Sequence, residues 1–120
     1  LNGDDELLAA ALAYGATGGI GLTYSIFPRF FVRLYAAAKG GDLSRAFAMQ
    51  AAFTVFLDRV MDFGVFPVLD LLMRERGFGP FARRRPRTIL DADSASRFHR
   101  EVDPLIAAVD AASLEAGGAR

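Results

Sequence analysis

The sequence predicts an α/β protein that is mostly helical, in which one incomplete βα unit runs into a helical extension. Three features point there. A short, glycine-rich apolar run at residues 18–22 has the character of a strand. A helix of about ten residues separates it from the apolar end Leu1-Asn2, which is the length of a βα crossover rather than of a hairpin and implies parallel pairing. From Pro28 onward the apolar residues recur at helical spacing.

Each element has a local reason. Asp4 stands where an N-cap would, with Asp5 and Glu6 in a first turn whose free N–H groups favour negative charge. A helix is expected over residues 7–14, stopped by Gly15. Gly18, Gly19 and Gly21, bounded by Thr17 and Thr23, suit a cramped buried strand. They suit a phosphate loop less well, because residues 23–27 separate them from the next helix N-terminus. Pro28 opens that helix, where its missing N–H is harmless, and Phe27, Phe30, Phe31 and Leu34 form its apolar stripe up to Lys39-Gly40-Gly41.

Asp42 caps a longer helix that runs to Phe63 and is stopped by Gly64. Leu43, Phe47, Phe53, Leu57 and Val60 are expected on its apolar face, with Ser44, Arg45, Ala48, Ala51, Asp58 and Asp62 opposite. Residues 67–76 form a further helix ended by Gly77, and residues 78–88, with Arg83, Arg84, Arg85 and Arg87, read as a surface loop. Residues 94–101 and 104–115 read as two last helices, the second opened by Pro104.

Composition narrows the function. The chain has 120 residues, 52% of them hydrophobic, with 14 basic and 14 acidic side chains, one His and no Cys. That is too apolar and too near neutral for disorder, and it excludes a disulfide scaffold and a thiolate metal site. The neutral balance argues against a nucleic-acid partner, and the arginine cluster is too short to change that. Residues 43–73 are apolar enough to suggest a membrane span, but Arg45, Gln50, Asp58, Arg59, Asp62 and Asp70 interrupt them. No membrane partner and a cytoplasmic location are expected. His99 has no second His, Cys or carboxylate at ligand spacing except Glu101 and Asp103 and reads as a solvated helix residue, so no metal is expected.

Two short parallel strands do not make a finished sheet. The chain therefore reads as the tail of a larger β/α protein, with residues 1–41 its last βα units and residues 42–120 a helical C-terminal extension.

Asn2-Gly3-Asp4-Asp5-Glu6, followed by Gly15-Ala16-Thr17-Gly18-Gly19-Ile20-Gly21-Leu22-Thr23-Tyr24, resembles the seventh and eighth strands of the dihydrodipicolinate synthase and N-acetylneuraminate lyase family. These are pyruvate-dependent Schiff-base (class I) aldolases on an eight-stranded β/α (TIM) barrel. The helix ending in Ala38-Lys39-Gly40-Gly41-Asp42 looks like the family's eighth barrel helix. The resemblance implies a pocket at the C-terminal ends of the strands. There Gly3 and Ile20 would neighbour the pyruvate portion, while Asp5 and Glu6 would face the hydroxyl-bearing remainder. Leu22 would occupy the place of a substrate-contacting Ser of the lyase branch. The bare alternative for Asp5 and Glu6 is a pair of first-turn helix charges.

The resemblance also implies a small keto-acid partner, pyruvate or a 2-keto sugar acid, a homo-oligomer (a tetramer), and no cofactor. It places no catalytic residue in this chain. The reactive Lys and the proton-relaying Tyr would lie on strands six and five, before residue 1. Lys39 is the one lysine here and sits at a helix C-terminus, where an ammonium is stabilised in its charged form. Two other readings stay open, a non-catalytic helical interaction module and a stand-alone remnant that pairs with another chain.

Overall fold

The computed structural model describes residues 1–79 and 88–114. Its α-helices are α1 (Leu8–Ala13), α2 (Pro28–Lys39), α3 (Leu43–Phe63), α4 (Val65–Glu75) and α5 (Ala92–Leu114), with 3-10 turns at Asp5–Leu7 and Leu22–Ser25. The loop arginines 83–87 and the end of the chain after residue 114 lie outside the described residues.

The expected pairing is parallel, but it is a single bridge. Asn2 N–H donates to the Gly18 carbonyl at 2.9 Å, and Ile20 N–H donates to the Asn2 carbonyl at 2.8 Å. The strand expected at residues 18–22 does not extend past this pair, and from Leu22 the chain tightens into a 3-10 turn. Two ladder bonds on a glycine-rich segment, with no further strand beside it among the described residues, are too few to hold a sheet. The result is a mostly helical chain with the direction, though not the strands, of a βα repeat.

Helix ends follow the local chemistry closely. Gly15, Gly41 and Gly77 each take a positive φ just past α1, α2 and α4, and in each case paired N–H groups fold back on the last turn. Ala16 N–H to Ala11 O at 2.9 Å beside Gly15 N–H to Leu12 O at 3.1 Å is one instance. This is the Schellman arrangement, which a side chain at the left-handed position would strain. Pro28 opens α2, and the Asp42 carboxylate accepts from Arg45 N–H at 3.1 Å to cap α3. Asp4 sits at the expected N-cap position, but its side chain makes no capping bond.

Two helices depart from expectation. α4 begins at Val65, which puts Pro67 within the first turn, where no N–H is needed. α5 is one helix through Pro104 rather than two. Pro104 is exposed, so the carbonyl it leaves unbonded faces water, while Phe98, Val102 and Val109 are sealed on either side of it. The Arg33 guanidinium, from α2, donates to the Ser113 carbonyl and satisfies one of the free carbonyls at the end of α5.

The core is aromatic and continuous across residue 41. Phe53 of α3 is fully buried, 5.5 Å from the Phe30 ring and 4.9 Å from the Phe31 ring, and Phe27 meets Phe56 edge-on at 5.1 Å. The buried stripe of α3 comprises Ala46, Met49, Gln50, Phe53, Phe56, Leu57, Val60 and Phe63. Leu43 and Phe47, expected inside, are 38% and 45% exposed because this stripe turns them outward. No helix among the described residues is long and apolar enough to cross a membrane.

His99 is not merely solvated. Its Nδ1 lies 3.0 Å from Asp103 Oδ1 and its Nε2 lies 2.9 Å from Glu75 Oε1, so one ring joins α5 to the end of α4. The hydrogen bond to Asp103 and the Glu75 charge raise its pKa above the usual histidine value, against a smaller opposing effect of burial. A raised folded pKa means that this contribution to stability is complete below the unfolded value of about 6.5 and is lost as pH rises through the folded value. The urea midpoint of the unsubstituted protein should therefore exceed that of His99→Gln most at pH 5.5, and the gap should shrink by pH 8.5. A gap independent of pH would refute the charged clamp.

Candidate functional site

The parallel bridge pairs Asn2 with Gly19, and beyond it Asp5 meets Gly21 and Thr23. Along an extended segment successive side chains point to opposite faces. Gly19 and Gly21 occupy one face, packed on Leu8, Tyr24 and Asp5. Ile20 takes the other and is 68% exposed, while Leu22, already in the 3-10 turn, is 40% exposed. Gly3 and Glu6 are exposed, and no atom lies within 4 Å of where a Gly3 Cβ would stand. Gly3, Glu6, Ile20 and Leu22 are thus all exposed.

Asp5 lies differently. It is 9% exposed, and its Oδ2 accepts two hydrogen bonds, from Thr23 N–H at 2.8 Å and from Thr23 Oγ1 at 2.6 Å. The carboxylate therefore ties the segment after the first half of the bridge to the segment after the second. It also packs directly against Gly21: a Cβ there would stand 2.0 Å from Asp5 Oδ1. The glycine spacing that reads as strand packing in the sequence is explained at residues 19 and 21 by Asp5, Leu8 and Tyr24 beneath them.

Beneath these residues Gln50 reaches up from α3. It is 6% exposed; its Nε2 donates to the Asp5 carbonyl and its Oε1 accepts from Ala9 N–H, both at 3.1 Å. Neither Gln50 nor Thr23 stands out as a site residue in the sequence. The available signal for Gln50 is a polar side chain between Met49 and Phe53 on the buried stripe of a helix, where an unbonded amide would cost about 1–3 kcal/mol.

The remaining chemistry is quiet. Tyr24 stacks on Phe31 with ring centroids 3.9 Å apart, and its buried hydroxyl has no hydrogen-bond partner among the described residues. Burial, and then the Asp5 charge, push its phenol above the usual tyrosine pKa. It borders an apolar hollow of about 380 Å³ shared with Leu8, Gly18, Gly19, Phe31 and Tyr35. Lys39 is exposed, its Nζ donating to the Ala16 carbonyl at 2.8 Å. An exposed side chain held to a backbone carbonyl lacks the buried surroundings that prepare a lysine for Schiff-base formation. No group of three or more His, Cys, Asp or Glu among the described residues is arranged to hold a metal ion.

Comparison with known proteins identifies relatives of this chain. The chain is 36% identical over 76 residues to N-acetylneuraminate lyase 2 of Escherichia coli, a match covering 63% of this chain and 25% of the lyase. Its fold superposes on a variant of the Sulfolobus solfataricus 2-keto-3-deoxygluconate aldolase with a TM-score of 0.78 and 20% identity, over 89% of this chain and 37% of the aldolase. The chain thus spans about a quarter of the lyase and about a third of the aldolase, and its helices and bridge correspond to part of an aldolase fold. Residues 1–104 match the Dihydrodipicolinate synthetase family, and the chain belongs to that family.

Proposed function

We propose that this chain forms one wall of the pocket of a class I aldolase or lyase acting on pyruvate or a 2-keto acid. The observation that carries the reading is the Asn2–Gly19 bridge, continued by the Asp5–Thr23 hydrogen bonds, with Gly3, Glu6, Ile20 and Leu22 exposed around it. The family resemblance assigns the chemistry to a Lys on a strand outside this chain. Its amine would condense with the keto carbon, lose water and form an imine that serves as electron sink for carbon–carbon cleavage or formation.

Within this wall Gly3 and Ile20 would sit against the small keto-acid end, Gly3 because a side chain there would take up substrate space. Glu6 would accept hydrogen bonds from hydroxyls farther along the substrate, and Asp5, buried on Thr23, would hold that segment in place as much as touch substrate. Leu22 cannot donate or accept a hydrogen bond, so the position favours a substrate with no hydroxyl at that depth. The working enzyme would be a cytoplasmic homo-oligomer.

Borohydride trapping tests the reading. A full-length enzyme carrying this segment should yield a pyruvate adduct detectable as a mass increase. Residues 1–120 alone should yield none, because Lys39 is solvated and hydrogen-bonded to a carbonyl. An adduct on Lys39, or no adduct in the full-length enzyme, would overturn it.

A further inference from the structure

We propose that Gln50 is a positioning residue for the substrate-lining segment, so that the helical extension, and not the barrel part alone, sets the shape of the pocket wall. The inference rests on the reading of residues 3–6 as that wall. Asp5 is held at both ends: its carboxylate by Thr23, 18 residues on, and its carbonyl by Gln50, 45 residues on. With both ends fixed, the backbone between Gly3 and Glu6 has little room to shift without breaking one of these bonds.

The second half of the Gln50 amide strengthens the case. Ala9 N–H is among the first donors of α1, which have no partner within their own helix. Such donors are ordinarily satisfied by a local capping side chain, but neither Asp4 nor Leu7 supplies one. The cap comes instead from across the core, through Gln50 Oε1. A buried Met or Leu would pack α3 as well without the desolvation that an amide carries. What the amide adds is a donor and an acceptor placed on two backbone groups four residues apart, one in the wall and one in the helix behind it.

Glutamate in place of Gln50 keeps the acceptor for Ala9 but, when ionised, has no donor for the Asp5 carbonyl. In the full-length enzyme, with pyruvate and 2-keto-3-deoxygluconate as probes, Gln50→Glu should raise KM for the hydroxylated probe about tenfold, the effect of one lost hydrogen bond. Pyruvate adduct formation should stay within about twofold, since a wall displacement acts on the distal end of the substrate. A purely structural role predicts equal losses on both probes, and that result, or an unchanged KM, overturns the proposal.

Hydrogen exchange on the unsubstituted enzyme gives a second reading that needs no variant to fold. The Ala9 amide should exchange as slowly as buried amides of α3, and exchange as fast as an exposed turn also overturns the proposal. If the unsubstituted enzyme traps no 2-keto acid, the function reading itself falls. An intact adduct with unchanged KM in Gln50→Glu removes only the role of Gln50.

Discussion

Gly21→Ala is expected to destabilise the protein by about 3 kcal/mol and to lower its soluble yield. The added Cβ would stand 2.0 Å from Asp5 Oδ1 and 2.3 and 2.5 Å from two ring carbons of Tyr24. Neither neighbour can yield easily, since Asp5 is bonded twice to Thr23 and Tyr24 is stacked on Phe31. The backbone at Gly21, with φ −138° and ψ 149°, is extended and open to any residue, so the loss is steric. Gly3→Ala is the matched control: with no atom within 4 Å, it should change stability by less than about 0.5 kcal/mol while still hindering keto-acid capture. Soluble yield and the urea midpoint of both variants decide the matter. Equal midpoints would mean that Asp5 and Tyr24 do not lie under Gly21 in the assembled protein.

Asp5→Ala should destabilise the protein by about 1.5–3 kcal/mol, because it leaves the Thr23 N–H and hydroxyl buried without their charged acceptor. The same freedom in the wall should lower kcat/KM for a hydroxylated 2-keto acid by about one to two orders of magnitude, beyond any loss of folded enzyme. Asp5→Asn keeps an acceptor oxygen and should fall between the two. The readouts are a denaturation midpoint and kcat/KM per active site counted by borohydride trapping. If Asp5→Ala matched the unsubstituted protein in stability, the Asp5–Thr23 tie would contribute nothing. If activity fell only in proportion to folded protein, Asp5 would be a structural residue and no part of the pocket.

These two residues mark where the sequence can be read and where it cannot. Pro28, Asp42 and the glycines after α1, α2 and α4 act on backbone groups within a turn of themselves, so their effects are visible in the string of residues. The parallel sense of the pairing was legible from the length of the crossover. The strand was not, because a strand depends on neighbours on both edges and here there is one bridge. Pro104 looks like a helix start by the same local rule that works at Pro28. Inside α5 the rule is overridden by Phe98, Val102 and Val109, buried on both sides of it.

The candidate site divides in the same way. The motif that carries the family resemblance lies in two short segments, residues 2–6 and 15–24, and names Gly3, Glu6, Ile20 and Leu22 as candidates without help. The burial of Asp5 on Thr23, the turn of Phe47 to the outside, and the closing of His99 onto Glu75 are decided only when distant segments pack. The sequence by itself determined the starts of α2 and α3 and the stops of α1, α2, α3 and α4, because each rests on short-range chemistry, and its motifs carried the resemblance to the family. Only the tertiary structure decided that Gln50 spans α1 and the segment before it, since a hydrogen-bond partner more than forty residues away is chosen by packing geometry, which no local period encodes.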